Sequence, residues 1–225
     1  MRVFIGVDPR QPVAFNVLKW SIARRASKPV SIVPLVRPQL PVTRCGLTEF
    51  TYTRYLCPAL SGYHGISVFL DADMLLQDDI LKLADFMDGE HDVYVRQDQE
   101  KFEWPSLMIF NNDRCRTLTA EWINDEANQP NDLGWAQSVG TIDRSWNYCV
   151  GYDEADIGVP HLIHYTAGIP HFPETRQCQF SAEWWAEYES MIGNCSWLEL
   201  MGDSVHAEGV LDQLQARKNQ WRQRH

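Results

Sequence analysis

Short apolar runs, each cut off by polar or turn residues, alternate along this chain with stretches of helical period. Val3-Phe-Ile-Gly-Val7 opens as a buried strand and ends in the loop Asp8-Pro-Arg-Gln-Pro12. Pro12 suits a first helical turn. Val13, Phe15, Val17, Leu18, Trp20 and Ile22 then form an apolar stripe, and Arg24 and Arg25 fall where the negative end of a helix dipole favours cations. Val30 to Val36 predicts a second strand, weakened by Pro34. Strand, helix, strand is the opening of a doubly wound α/β sheet.

The pattern continues through a loop at Arg37 to Leu47, with Pro38 and Pro41, and a helix over Thr48 to Leu60, broken near Pro58. Ile66-Ser-Val-Phe-Leu70 predicts a buried central strand that stops abruptly at Asp71-Ala-Asp73; apolar Met74-Leu-Leu76 follows at once. Asp78 is placed to cap a helix through Ile80, Leu83 and Met87, stopped by Gly89. His91 to Arg96 and Ser106 to Asn111 predict two more strands, and Thr119 caps a short helix containing Trp122 and Ile123. From Asn124 to Gly158 no period stands out. His161 to Tyr165 has strand character, Ser181 caps a strong helix whose face carries Trp184, Trp185, Tyr188, Met191 and Ile192, and 210–225 predicts a basic amphipathic helix. No repeat or linker divides the chain. It is expected to be a catalytic domain over 1–185, with 186–225 as a helical extension packed on it.

Composition narrows the classes. The chain has 225 residues with 44% hydrophobic and 12% aromatic content, enough for one full α/β domain with a real core. A net charge of −10 argues against nucleic acid as a partner. Cys45, Cys57, Cys115, Cys149, Cys178 and Cys195 show neither zinc spacing nor Cys-x-x-Cys pairs, so reduced structural thiols in a cytoplasmic protein are expected. No signal-peptide run opens the chain, and no apolar run reaches membrane-spanning length. Arg217, Lys218, Arg222 and Arg224 on the last helix raise weak peripheral contact with the inner face of an anionic membrane, diluted by Glu208 and Asp212; an ordinary packed helix is the alternative.

Asp71 and Asp73 carry the chemistry. Open α/β sheets place ligands at the carboxyl ends of their strands. Two carboxylates delivered there cannot both ionise without a counter-charge. A hard, oxygen-ligated cation such as Mn2+ or Mg2+ supplies one. An Asp-x-Asp turn and helix cap with no ligand is the plain alternative.

Four segments in order resemble the type A glycosyltransferases related to family 8, closest to small bacterial and phage members: Val3 to Arg10, Phe50 to Leu56, Phe69 to Leu75 and His164 to Phe172. The resemblance implies a single Rossmann-like domain with a mostly parallel central sheet flanked by helices, and a helical C-terminus. It implies a metal held by Asp71, Asp73 and His164, bridging the phosphates of a nucleoside-diphosphate sugar, UDP-linked for preference. It places Asp8 on a nucleobase N–H, with Arg10, Arg54, Ala72 and Gly168 around the rest of the donor. Each also has a plain role open to it: a turn Asp, a surface Arg, a turn Gly. Trp146 and Asn147 are candidates for the side of the glycan or other hydroxyl acceptor, though a Trp packed in the core fits as well.

The implied reaction is retaining hexosyl transfer in surface-polysaccharide synthesis, with Asp73 central to it. An inverting variant needs a base; Asp98 is the first candidate, with Asp132 and Asp153 behind it. Two departures stand out. The family's Lys after the His motif is missing, leaving Arg176 or His171 to neutralise the diphosphate, and Glu103-Trp-Pro-Ser106 replaces the usual Asn-Ser-Gly turn. The missing Lys keeps open a metal-dependent nucleotide-sugar or glycan binder without turnover.

Overall fold

The structure is a computed structural model; it describes residues 1–98, 105–154, 158–194 and 204–207, with Asp212 and Asn219 beyond them. Its elements in chain order are β1 (Arg2–Gly6), α1 (Pro12–Arg25), β2 (Ser31–Leu35), α2 (Cys57–Leu60), β3 (Ile66–Leu70), β4 (Met74–Leu76), β5 (Val93–Val95), β6 (Leu107–Asn111), α3 (Ala120–Asn124), β7 (Val139–Thr141), β8 (Tyr148–Cys149), β9 (Leu162–His164) and α4 (Ser181–Ile192). Six strands form the main sheet in the order β2-β1-β3-β6-β5-β7. Pairing is parallel between β2 and β1, β1 and β3, and β5 and β7, and antiparallel where β6 joins β3 and β5. This is the mostly parallel α/β architecture expected. A smaller sheet, β4-β9-β8, lies beside it.

Alternation along the strands builds a core on each face. Val3, Ile5, Val68, Leu70, Leu107 and Ile109 turn toward α1, α4 and the small sheet. Phe4, Phe69, Met108 and Phe110 turn to the other face, against Leu56, Leu118 and Ile123. Each such side chain contributes about 1.5–3 kcal/mol by leaving water. Both faces are covered, which is why these strands read as continuous apolar runs. Ser21 Oγ on α1 donates to the Leu18 carbonyl and accepts from the Leu76 N–H at 3.2 Å, fastening α1 to β4. Arg24 and Arg25 serve more than the helix end: both reach the buried Glu187 carboxylate on α4, at 3.2 and 2.7 Å.

Several local expectations change. Thr48 to Tyr52 is turn rather than helix; a 3-10 turn covers Thr53–Leu56 and α2 follows. Pro58 sits in the first turn of α2, where a missing N–H costs nothing, so it starts that helix instead of breaking one. Asp79, not Asp78, caps the next segment, accepting from the Leu81 N–H at 3.0 Å, and Ile80–Phe86 is 3-10 rather than α. Asp78 instead binds Lys82 and His161. Ser181 begins α4 without capping it; Phe180, in the left-handed region at φ 59°, holds the cap position. Ile192 is 46% exposed and leaves the apolar face. Pro34 is tolerated because β2 is an edge strand. The strands β4, β7 and β8 were not expected. Residue 185, drawn as a domain limit, falls inside α4, and the basic helix expected at 210–225 lies outside the described residues apart from Asp212 and Asn219. Cys45, Cys57, Cys115, Cys149 and Cys178 carry free thiols. Among the described residues, no helix is long and apolar enough to cross a membrane.

Candidate metal and donor site

The main sheet delivers the carboxylates and the small sheet delivers the histidine. Where β3 stops, the Asp71 N–H donates to the Ser106 carbonyl at 3.0 Å, carrying the β3–β6 pairing one residue further. The chain turns through Ala72 and Asp73 and enters β4, whose first residue, Met74, pairs with His164 of β9. The Tyr165 N–H donates to the Asp73 carbonyl at 2.9 Å. This clasp sets His164 Nε2 3.4 Å from an Asp73 carboxylate oxygen.

Asp71, Asp73 and His164 each offer one ligand atom, all within 4.8 Å of one another, and this group could hold a metal ion. The donor set fits a divalent cation of the Mn2+ or Mg2+ kind: two hard carboxylate oxygens and one imidazole nitrogen. Burial works against a charged His164, but the Asp73 carboxylate outweighs it and holds the imidazole pKa well above its ordinary value. A cation arriving between them would take over the charge balance and displace that proton.

Arg54 holds the second carboxylate. Its Nη2 lies 3.1 Å from Asp71 Oδ1, while Nε donates to the Phe50 carbonyl and Nη1 to the Pro105 carbonyl at 2.7 Å. The guanidinium lies over the Phe69 ring, 4.8 Å from its centre. These groups floor a cleft of about 570 Å3, walled by Thr48, Thr51 and Tyr52 on one side and by Asn131 and Asp132 on another, with Ser106 and Thr166 near the ligand triad. That volume suits a nucleotide-sized ligand.

The other residues named from sequence are placed as follows. Asp8, at the end of β1, is bound by Arg10 at 2.8 Å; burial raises its pKa, but Arg10 outweighs that and leaves it below the ordinary value. Ala72 is buried between the two aspartates. Gly168 turns at φ 115°, and an added Cβ would stand 3.2 Å from the Phe172 ring. The structure does not bring Asp98 to the cleft. It lines a separate concavity with Asp88, His91 and Tyr94, is largely exposed, and pairs with Arg96 at 2.6 Å. Trp146 is buried and stacked on His161, 5.0 Å between ring centres. Asn147 is fully buried, its amide donating to Ser106 Oγ at 2.9 Å. Arg176 lies over Trp185, and His171 sits among Trp184, Trp185 and Tyr188, away from the cleft lining. Sequence reasoning missed Thr48, Thr51, Tyr52, Asn131 and Thr166 as wall residues. The first three fall in or beside the Phe50 to Leu56 segment that carried the resemblance, so only their orientation was hidden.

Comparison with solved structures defines the fold. No protein-family model matches the chain. The galactosyltransferase LgtC, in complex with donor and acceptor sugar analogs, superposes with a TM-score of 0.59 at 12% identity, over 88% of this chain and 99% of that one. The bifunctional glycosyltransferase WbbM gives 0.67 at 18% identity, over 91% of this chain, which spans about half (51%) of WbbM. GlyE of Streptococcus pneumoniae gives 0.62 at 13% identity, and the chain spans 62% of it. The fold is the type A glycosyltransferase fold in a single domain. Protein CDI of Arabidopsis thaliana is 30% identical over 224 residues, 84% of this chain and 86% of CDI. The chain belongs to the family of Protein CDI.

Proposed function

We propose that the chain is a metal-dependent glycosyltransferase. It moves a sugar from a nucleoside-diphosphate sugar, UDP-linked for preference, to a hydroxyl of a glycan or similar acceptor, with retention at the anomeric carbon. One observation carries this reading: Asp71 and Asp73 from the end of β3 and His164 from the end of β9 converge on one cleft of a type A glycosyltransferase fold. These three residues would hold the cation, which when bound supplies Lewis-acid neutralisation of a diphosphate leaving group.

The remaining chemistry belongs to the chain's own groups. Arg54 keeps the Asp71 carboxylate fixed and shares its charge in a partly dry floor. Asp8, Arg10, Ala72 and Gly168 are assigned to the donor side on the family resemblance. In transfer, the bond from the anomeric carbon to the diphosphate oxygen breaks and the acceptor oxygen bonds to that carbon. Under retention the acceptor proton passes to the departing phosphate oxygen, so no base at Asp98 is required. Asp132, on the cleft wall, is our assignment for holding the acceptor hydroxyl, in place of Trp146 and Asn147, which are buried.

A second reading, nucleotide-sugar binding without turnover, is favoured by the positions of Arg176 and His171, neither of which lines the cleft. Calorimetric titration with UDP, GDP and their common sugars tests both, with and without Mn2+, on wild type and Asp73→Ala. Metal-dependent binding of one nucleotide that Asp73→Ala abolishes is the expected result. Binding indifferent to metal and to Asp73 overturns the assignment. Tight binding with neither hydrolysis nor transfer would favour the binder.

A further inference from the structure

Metal-binding histidines are normally held through their second ring nitrogen, which donates to a carboxylate, a carbonyl or water and so fixes which nitrogen faces the metal. Among the described residues, His164 meets neither a carboxylate nor a carbonyl in that position. Its Nδ1 faces the Cys149 sulfur at 3.7 Å, and the thiol is buried. Cys149 of β8 is the registered partner of His164 of β9, and the Val150 N–H donates to the His164 carbonyl at 2.9 Å. Strand pairing therefore sets the Cys149 backbone opposite His164.

We propose that Cys149 is the positioning residue for His164, its sulfur accepting the Nδ1–H so that Nε2 is turned to Asp73 and, once its own proton is displaced, offers its lone pair to a bound cation. This rests on the reading that Asp71, Asp73 and His164 hold a divalent ion. Sulfur is a weak acceptor, so its placement must come from elsewhere, and the surroundings provide it. The Cys149 thiol lies 3.6 Å from the Asn147 carbonyl and can donate its proton there, which lets the sulfur act as acceptor toward the imidazole. The Cys149 N–H donates to Asp153 Oδ2 at 2.7 Å. Asp153 is gripped by Arg96, whose Nη2 donates to its other oxygen at 2.7 Å and whose Nη1 donates to the Asn147 carbonyl, also at 2.7 Å. Arg96 is 2% exposed. A buried ion pair of this kind holds its neighbours in place, since removing one partner leaves the other charge unpaired. Here it fixes both ends of the Asn147 to Cys149 segment on which His164 leans. Asp153, Asn147 and Cys149 thus act through His164 and not on a substrate.

The test is Mn2+ affinity, read by electron paramagnetic resonance, for wild type, Cys149→Ala, Cys149→Ser and Asp73→Ala. It is joined by 15N–1H spectra of histidine-labelled wild type loaded with diamagnetic Mg2+. Cys149→Ala is expected to weaken Mn2+ binding about 10–100-fold, and Cys149→Ser, which keeps an acceptor, to recover part of the loss. The His164 proton is expected on Nδ1, slow to exchange in wild type and fast in Cys149→Ala. Wild-type affinity in Cys149→Ala overturns the proposal while leaving the metal site intact; the proton on Nε2 in the Mg2+-loaded wild type overturns both the proposal and His164 as a ligand. Mn2+ binding unaffected by Asp73→Ala, or absent from wild type, overturns the metal site itself. The wild-type spectra decide the question even if the alanine variant fails to fold.

Discussion

The Arg54 guanidinium stands 3.1 Å from a carboxylate oxygen of Asp71, and both side chains are largely withdrawn from water. The pair explains how one strand end can carry two aspartates at close quarters: Asp71 has Arg54, and Asp73 has His164. The guanidinium is itself fixed by the Phe50 and Pro105 carbonyls. A lysine keeps the charge but cannot span these three acceptors as a rigid fork. Removing one partner of a buried pair leaves the other charge unpaired, at a cost of about 3–5 kcal/mol; the open cleft puts this pair at about the lower end. Arg54→Ala is therefore expected to lower unfolding stability by about 3 kcal/mol, and Arg54→Lys by an intermediate amount, both with loss of Mn2+ affinity. Urea denaturation checks the first and calorimetry the second. An alanine variant as stable as wild type would remove Arg54 from this role.

Gly6 closes β1 where the chain approaches the Arg54 segment. A Cβ there would lie 2.4 Å from Phe50 Cγ, far inside contact distance, and the Phe50 carbonyl is the acceptor for Arg54 Nε. Overpacking of this kind costs about 1–3 kcal/mol. Gly6→Ala is expected to destabilise by that order and to weaken Mn2+-dependent nucleotide binding through the displaced Arg54. Pairing it with Phe50→Leu, which opens room, is expected to restore part of both. A double-mutant cycle with no coupling between the two positions would show that the contact is not transmitted.

What the sequence revealed follows from where period and chemistry coincide. β1, β3 and β6 are apolar runs buried on both faces, and α1 carries a clear helical stripe with an open outer side; nothing local competes with them. Asp71 and Asp73 stand out because charge follows a buried strand without a break. The turn at Thr48 to Tyr52 was hidden because its aromatic and threonine residues mimic a helical stripe. The small sheet was hidden, although His161 to Tyr165 reads as a strand, because its partners β4 and β8 are only three and two residues long, too short to show alternation. Asp98 and Asn147 show the limit of proximity in sequence. Asp98 follows a strand end as a base should, yet Arg96 turns it to another concavity; Asn147 sits next to a tryptophan like a sugar-binding residue, yet tertiary pairing consumes it.

His206 gives the fold an acid-sensitive contact. Its ring lies 4.6 Å from that of His171, which packs on Trp184, Trp185 and Tyr188 of α4, and 4.5 Å from that of Phe172. Burial, and then the neighbouring His171, lower its pKa from 6.5 to about 4; burial and Arg176 lower that of His171 as well. The unfolded chain therefore binds more protons than the folded one between these limits, so stability falls as the pH drops from 6.5 toward 4. Melting temperatures at about pH 7.5 and about pH 5 are expected to differ more for wild type than for His206→Phe, which keeps the ring and removes the titration. Equal differences in the two proteins would show that His206 does not set the acid response.

Asp132 is the carboxylate that the fold places on the cleft wall away from the metal ligands. It ends the 3-10 turn Pro130–Asp132, closed by Leu133 in the left-handed region at φ 55°, and its neighbour Asn131 accepts the buried Tyr55 hydroxyl at 2.8 Å. That bond ties the wall segment to the buried core. If Asp132 only holds the acceptor, Asp132→Asn raises the acceptor KM and leaves kcat, nucleotide affinity and slow donor hydrolysis unchanged. If it instead takes the acceptor proton, kcat falls by about 10²–10⁴. Retention predicts the first pattern, because the departing phosphate accepts the proton. Tyr55→Phe, which removes the bond to Asn131 without touching the cleft charge, is expected to raise the same KM by a smaller factor. Steady-state kinetics with an acceptor found by screening separates the cases, and a collapse of kcat in Asp132→Asn would overturn the assignment of retention along with the role given to Asp132.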